Sequence, residues 1–199
     1  LLTLQEEAWA QQQSRLDPSS VRGVVFLCEH PLGITFGREA TADDLSASES
    51  DLRAWSIRSR WLARGGGAIL HGPGQLAMTT IFPLDAWGWT PGDLRRCLES
   101  TVVDLLAEQG IPATTDLSRP GVWTRGGLVA QTGLAVRSGV SQFGIYLNVC
   151  PRMDLQRFIH CSQTPAEVAP EVTNPPVIEP ETTSIMRRWR LTSVAAERQ

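Results

Sequence analysis

Residues 64–76, which we call the glycine loop, combine residue types and a spacing that suit ligand binding. They read RGGGAILHGPGQL and lie between two apolar runs. Glycine allows positive φ angles and a close approach of the backbone, so oriented N–H groups can hold a carboxylate or a thioester. We therefore predict a cradle for an acyl group, with Arg64 at one end and His71 near its centre.

Three other interpretations of the glycine loop start from the same residues. The loop lacks the lysine of the GxxxxGK[ST] phosphate loop, and its glycines do not follow the GxGxxG spacing. A long glycine-rich hairpin with a purely structural role remains the alternative to a ligand-binding loop.

Composition limits the classes of function. All 18 basic residues are arginine, and the chain contains no lysine. The net charge is −3 and no basic block stands out, which argues against nucleic acid as the main partner. No run of 18 apolar residues predicts a membrane span, and residues 1–13 lack the basic segment of a signal peptide. We expect a cytoplasmic protein that does not contact a membrane.

The four cysteines, Cys28, Cys97, Cys150 and Cys161, form no CxxC pair. The chain has only three histidines, and no zinc-ligand spacing is visible. We therefore predict no metal site and no cofactor. Buried, reduced thiols are the general expectation for cysteines in such a protein.

The hydrophobic pattern predicts an α/β (α+β) chain with strands and interspersed helices. Strands are expected at Val21–Cys28 (a central strand), Ile34–Gly37, Ala68–Leu70, Leu76–Pro83, Val122–Trp123, Leu128–Val136 and Phe143–Val149. Helices are expected at Leu4–Arg15, 41–54, Pro91–Gln109 and Ser184–Glu197. Residues 1–163 are expected to form the main domain. The Pro-rich, extended residues 164–199, with their final helix, are expected to belong to the same domain.

The glycine loop and five further segments resemble, in order, motifs of the lipoyl (octanoyl) transferase family, which is related to the lipoate–protein and biotin–protein ligases. The five segments are residues 29–38 (EHPLGITFGR), 120–123 (PGVW), 126–133 (GGLVAQTG), 144–149 (GIYLNV) and 159–161 (IHC). The resemblance implies the biotin/lipoyl ligase-transferase fold, a single domain with a mixed β-sheet flanked by helices.

The same resemblance implies an activity and a site. Members of the family move an octanoyl group from acyl carrier protein to a lipoyl carrier domain through a cysteine thioester, which corresponds to Cys161, and a monomer is expected. His71 is a second candidate catalytic residue. The substrate-binding candidates are Arg64, Gly65, Gly66, Gly67, His71, Gly72, Gly74, Gln75, Leu128, Ala130, Gly133, Gly144 and Asn148.

Several positions depart from the family pattern. Leu128 lies where the family has the lysine that activates the thiol, and no other lysine can replace it. Phe143 replaces the usual histidine, His160 the usual proline, and Ser162 the usual glycine. A thiol with a pKa near 8.5 is only a few per cent thiolate at pH 7, and apolar surroundings raise its pKa further.

These departures leave alternatives open. A histidine could replace the lysine as the base. His71 suits this role better than His160, whose side chain would point away from that of its neighbour Cys161 in an extended strand. His71 could equally orient the glycine loop through hydrogen bonds. For the whole protein, the alternative to an acyltransferase is a non-catalytic or repurposed homologue that binds an acyl chain or a lipoyl domain. A ligase that activates its acid with ATP is a weaker alternative, since such ligases also use the missing lysine.

Overall fold

Two β-sheets face each other, and one long helix covers the outer face of the larger sheet. The structure is a computed structural model that describes residues 23–160 and 191–198. The predicted helix Leu4–Arg15, residue Cys161 and most of the predicted helix Ser184–Glu197 lie outside these residues. No helix in the described part is both long and apolar enough to cross a membrane.

The large sheet has six strands in the order β1-β5-β9-β8-β7-β6, and every neighbouring pair is antiparallel. Its strands are β1 (Val24–Glu29), β5 (Gln75–Ile81), β6 (Ala113–Asp116), β7 (Arg119–Thr124), β8 (Gly127–Arg137) and β9 (Val140–Asn148). The prediction that the first strand is central is wrong, since β1 forms one edge of this sheet. Val25 and Leu27 are exposed in β1, so its apolar run alternates rather than being buried on both faces.

The small sheet has three strands in the order β3-β2-β4. They are β2 (Gly33–Phe36), β3 (Arg58–Trp61) and β4 (Ala68–His71). Strands β2 and β3 are parallel, whereas the other paired strands of the described residues are antiparallel. Strands β4 and β5, which flank the turn at residues 72–74, belong to different sheets. The glycine loop is therefore not a hairpin.

The long helix α3 follows the sequence prediction closely. The helices are α1 (Glu49–Ala54), α2 (Leu84–Trp87), α3 (Pro91–Glu108), α4 (Met153–Gln156) and α5 (Val194–Glu197), with a 3₁₀ turn at Ala42–Asp44. Thr90 caps α3 in a reciprocal capping box with Asp93, and Pro91 occupies its first turn. The apolar stripe of α3 packs on the large sheet, and its buried members are Leu94, Leu98, Val102 and Leu106.

Other elements differ from the prediction. The predicted helix over residues 41–54 is divided into a 3₁₀ turn and α1, with extended residues between them. The predicted final helix is wrong for residues 191–193, because Leu191 forms a parallel bridge with Leu128 and the helix begins only at Val194. Strands β3 and β6 were not predicted, since neither shows an alternating apolar pattern. The predicted α+β class, with sheets and helices, is confirmed.

Candidate functional site

A cavity of about 1060 Å³ lies between the two sheets. Thr35 and His71 of the small sheet line one wall, and Thr79 and Tyr146 of the large sheet line the opposite wall. The remaining lining residues are His30, Pro31, Leu32, Gly33, Ile34, Trp55, Ser56, Arg58, Ser59, Arg60, Leu62 and Phe143. No acidic residue occurs among them.

The strand register explains why these side chains meet. Gly33 of β2 lies opposite His71 of β4. Ala77 of β5 pairs with Cys28 on one side and Tyr146 on the other, so their side chains share one face of the large sheet. The rings of His71 and Tyr146 then meet edge to face, with 4.8 Å between centroids.

Both ring nitrogens of His71 are hydrogen bonded within the protein. Nε2 lies 2.8 Å from the Thr35 hydroxyl, and Nδ1 lies 3.0 Å from Oε1 of Gln75. The Gln75 amide nitrogen donates to the carbonyl of Leu70 and to Oδ1 of Asn148, each at 2.9 Å, so its Oε1 can only accept. We therefore assign the His71 proton to Nδ1, and Nε2 accepts from Thr35.

The described histidines and tyrosine of the cavity are uncharged near pH 7. Burial, aided by the neighbouring His30, lowers the pKa of His71 to about 3. Burial also lowers the pKa of His30 and raises the pKa of Tyr146 to about 12. The two imidazoles and the phenol are thus neutral, a state that suits an uncharged ligand.

Arg64 is completely buried beside this cavity. It donates to the carbonyl and the hydroxyl of Thr35 at 2.8 and 2.9 Å, and to the carbonyl of Gly65 at 2.9 Å. Its side chain crosses Gly133, where an added Cβ would lie 3.0 Å from Cδ of Arg64. Gly144, the register partner of Gly133, leaves no space for a Cβ, which would lie 2.0 Å from the Met78 carbonyl oxygen.

Four of the predicted site residues therefore belong to one hydrogen-bonded row. The row runs from Arg64 through Thr35, His71 and Gln75 to Asn148. Asn148 then donates to the backbone carbonyl of Thr192 at 3.3 Å. The row links the glycine loop to the C-terminal residues of the described chain.

The glycines of the loop are explained largely by protein contacts. The N–H groups of Gly65, Gly66 and Ala68 donate to Leu134, Glu39 and Asp44. A Cβ at residue 67 would lie 2.5 Å from the Asp44 carboxylate, and one at residue 74 would lie 2.3 Å from the Cys150 carbonyl oxygen. Gly74 also has φ +85°, which disfavours any other residue. The prediction assigned these close approaches to a ligand.

The predicted residues of β8 do not line the cavity. Leu128 is fully buried in an apolar cluster with Trp123, Leu191 and Met153. Ala130 packs in the core beneath α3, on the opposite face of the large sheet. Gly72 lies at a smaller cavity of about 260 Å³ beside residues 151–156.

Cys161, the predicted nucleophile, lies outside the described residues. His160 precedes it and donates its backbone N–H to the Asp44 carbonyl at 2.8 Å. The Asp44 side chain accepts from Ala68 of the glycine loop at 3.2 Å. Asp44 thus joins the described end of this segment to the loop.

Sequence reasoning missed Thr35, His30, Tyr146 and Asp44. The sequence pattern could have identified Thr35, because it lies between the apolar residues Ile34 and Phe36 of β2 and so faces away from the core in which they are buried. Asp44 carried none, because an acidic residue in a polar segment gives no sign of burial. Within residues 23–160 and 191–198, no three His, Cys, Asp or Glu side chains are grouped as metal ligands would be.

Sequence comparisons agree with this architecture. The profile of the lipoyl protein ligase A/B catalytic domain matches residues 2–188. The octanoyltransferase of Syntrophobacter fumaroxidans is 37% identical over 134 residues, which cover 67% of this chain and 59% of that protein. The octanoyltransferase of Chloroflexus aggregans is 34% identical over 157 residues, or 76% of this chain and 70% of that protein. The matched part of the chain thus spans about three fifths to seven tenths of the length of these relatives.

Solved structures share the fold. A lipoate-protein ligase A bound with ATP superposes with a TM-score of 0.60 at 17% identity, covering 79% of this chain and 66% of that one. A chain from the structure of a bi-partite lipoate protein ligase and its E2 lipoyl domain, from Thermoplasma acidophilum, gives a TM-score of 0.56 at 14% identity. It covers 79% of this chain and 61% of that one. The resemblance seen in the sequence motifs is confirmed, and the chain belongs to the lipoyl protein ligase A/B catalytic domain family.

Proposed function

We propose that this protein is an octanoyltransferase that moves a medium-chain acyl group from acyl carrier protein to a lipoyl carrier domain, through a thioester on Cys161. The observation that carries the proposal is the cavity beside the glycine loop, whose inner end is lined by the neutral side chains of His71 and Tyr146. Relatives that match most of the chain bear the name octanoyltransferase. A cavity of about 1060 Å³ is large enough for an eight-carbon chain, and its neutral inner end suits the apolar surface of that chain.

Within this proposal His71 orients the loop and does not act as the base. Its Nε2 already accepts from Thr35, and its pKa of about 3 makes it a very weak proton acceptor near pH 7. Arg64 holds Thr35 in place and so fixes the wall of the cavity that contains His71. In this proposal, His71 and Arg64 therefore maintain the shape of the pocket and take no part in the chemical step.

The position of the nucleophile is part of the proposal. The contacts of Asp44 with Ala68 and with His160 support a location of Cys161 near the glycine loop, because consecutive Cα atoms are about 3.8 Å apart. In the transfer, the Cys161 thiolate attacks the donor thioester and the donor thiol leaves with a proton. The amine of the carrier lysine then attacks the acyl-cysteine, and the Cys161 thiol is released.

A second candidate function is supported by the surroundings of Leu128. Leu128 packs against the apolar side chains of Trp123, Leu191 and Met153, and, unlike a lysine at this position, it supplies no ammonium to stabilise a thiolate. A protein that binds the acyl chain or the lipoyl domain without transfer would need no such group. The two candidates differ in whether an acyl-cysteine forms.

Mass spectrometry of the intact protein after incubation with octanoyl acyl carrier protein tests this directly. An octanoyl adduct that is present in the wild type, retained in Cys150→Ala and lost in Cys161→Ala is the expected result. Cys150 is an exposed cysteine and serves as the matched control. Tight binding of the donor without any adduct would instead support the binding protein, and an adduct retained in Cys161→Ala would refute the assigned nucleophile.

A further inference from the structure

Two exposed arginines line the mouth of the large cavity. Arg58 and Arg60 belong to β3, the edge strand of the small sheet, and all of β3 is exposed. Both side chains line the cavity that also contains His71. In the part of the chain that the structure describes, neither arginine forms an ion pair.

Strand register places both arginines on the cavity side of the small sheet. Arg58 and His71 lie on either side of Gly33, and Arg60 lies beside Thr35. Residues side by side in a sheet share a face, so these arginines project on the same face as His71 and Thr35. Neighbouring strands are about 4.8 Å apart, which puts the backbone of Arg58 roughly 10 Å from that of His71.

The charges of the cavity are therefore divided between its two ends. The inner end holds His71 and Tyr146, which are neutral near pH 7. The mouth holds two guanidinium groups, and among residues 23–160 and 191–198 no acidic residue lines the cavity to neutralise them. Arg152 lies over the ring of Trp55, another lining residue, but it is paired with Asp154. A ligand that matches this distribution has an apolar part and an anionic group on the order of 10 Å away.

We propose that Arg58 and Arg60 form a subsite for an oxyanion of the acyl substrate. Planar guanidinium groups bind carboxylates and phosphates through paired hydrogen bonds, and two arginines spaced two residues apart in a strand can hold one such group. The proposal rests on the proposed function, which supplies the acyl chain in the cavity. Two sources of the oxyanion fit: the carboxylate of a free medium-chain acid, or the phosphate of the arm that carries the acyl group on its donor.

Two matched ligand pairs separate these sources by isothermal titration calorimetry. One pair is octanoate and octanamide. The other is S-octyl-phosphopantetheine and S-octyl-pantetheine, thioethers that cannot transfer their chain. Within each pair the ligands differ chiefly in charge. The proteins are the wild type, the double variant Arg58→Gln/Arg60→Gln, and a control, Arg125→Gln/Arg137→Gln, which removes the same charge from exposed positions away from the cavity.

In the wild type and the control, we expect the anionic member of at least one pair to bind about tenfold more tightly than its neutral partner. In Arg58→Gln/Arg60→Gln this advantage should disappear while the neutral ligands bind as before. The pair that shows the effect identifies the source of the oxyanion. Higher salt should also reduce the advantage, because both arginines are exposed.

The subsite is overturned if neither pair shows a charge-dependent difference in the wild type, or if the difference persists in the double variant. Binding of the neutral ligands in that case leaves the proposed function intact. Failure of all four ligands to bind the wild type would refute the acyl pocket itself, and the subsite with it.

Discussion

At the scale of single residues, His71 makes stability depend on pH. Its pKa of about 3 in the folded protein lies below the value near 6.5 of an unfolded chain, so the unfolded state takes up the proton first. The stability that the neutral ring provides is therefore complete above pH 6.5 and is lost as the pH falls toward 3.

We expect the free energy of unfolding to decrease below pH 6.5 by at most about 1.4 kcal/mol per pH unit on account of His71. Urea unfolding of the wild type at pH 7 and pH 5 measures the decrease. His71→Gln should reduce it, because the buried imidazole that takes up the proton on unfolding is then absent. Equal slopes for the wild type and His71→Gln would contradict a buried, neutral His71.

Leu128 offers a second test at this scale. A lysine at this position should lower the pKa of the Cys161 thiol if the two side chains face each other, and so raise its alkylation rate at pH 7. The ammonium would be buried among Trp123, Leu191 and Met153, so we also expect a loss of several kcal/mol of stability. Leu128→Met, which conserves volume, should change neither quantity much.

Peptide-resolved mass spectrometry after iodoacetamide treatment measures the Cys161 alkylation rate, and urea unfolding measures the stability. A folded Leu128→Lys protein whose Cys161 reacts at the wild-type rate would show that the two positions do not face each other. The proposal of a non-catalytic homologue would then be strengthened.

At the scale of elements, the turn between β4 and β5 depends on a glycine. Gly74 has φ +85°, and a Cβ there would lie 2.3 Å from the Cys150 carbonyl oxygen. Gly88 has φ +67°, but nothing lies within 4 Å of its Cβ position. Substitution of Gly88 therefore tests backbone strain alone, whereas substitution of Gly74 tests backbone strain together with steric overlap.

Gly88→Ala should cost roughly 1 kcal/mol of stability from backbone strain alone, and Gly74→Ala should cost about 3 kcal/mol or more. Chemical denaturation of the two variants provides the comparison. Similar losses at both positions would mean that the backbone at residues 150–151 moves away easily.

The elements also show what the sequence could predict. The helix α3 was predictable because its capping box, its first-turn proline and its apolar stripe all agree. Strand β3 was not, because its four residues are exposed and two are arginines, so no apolar period exists. The edge position of β1 depends on which strand pairs with it, and a single sequence does not contain that information.

The candidate site was predictable to a similar degree. The motifs identified Arg64, His71, Gln75 and Asn148, which the structure joins in one hydrogen-bonded row. Their spacing could not reveal that Thr35 completes the row, since the contact arises from the pairing of β2 with β4. The motif spacing also could not place Ala130 on the α3 side of the sheet. Residues of β8 are buried on both faces, so the strand shows no alternation of apolar and polar residues from which the face of Ala130 could be assigned.

At the scale of the whole molecule, the C-terminal residues are attached to the large sheet. Leu191 bridges Leu128 and packs in the same apolar cluster, and Thr192 donates to the Leu128 carbonyl at 3.1 Å. These contacts close the chain onto β8 across a long sequence separation. Their loss should therefore destabilise the protein as a unit.

Leu191→Ala should lower the free energy of unfolding by about 2 kcal/mol, at the lower end for a buried leucine, because its side chain lies at the margin of the cluster. Leu117→Ala, at a side chain that is 74% exposed, should change it by less than about 0.5 kcal/mol. Thermal and urea unfolding measure both. A neutral Leu191→Ala would indicate that residues 191–198 do not contribute to the folded core.

The hydrogen bonds of the row from Arg64 to Asn148 all run in one direction along the cavity wall. A guanidinium has no lone pair, so Arg64 donates to Thr35. Because the Gln75 amide nitrogen donates to Leu70 and Asn148, its oxygen accepts from Nδ1 of His71, and Nε2 of His71 accepts from Thr35. The Thr35 hydroxyl donates its hydrogen to His71, and the His71 proton points to Gln75, away from any ligand in the cavity. A ligand that lies against Thr35 and His71 thus meets a hydroxyl and an imidazole whose hydrogens already form bonds within the protein, and a hydrocarbon chain leaves none of these donors unpaired.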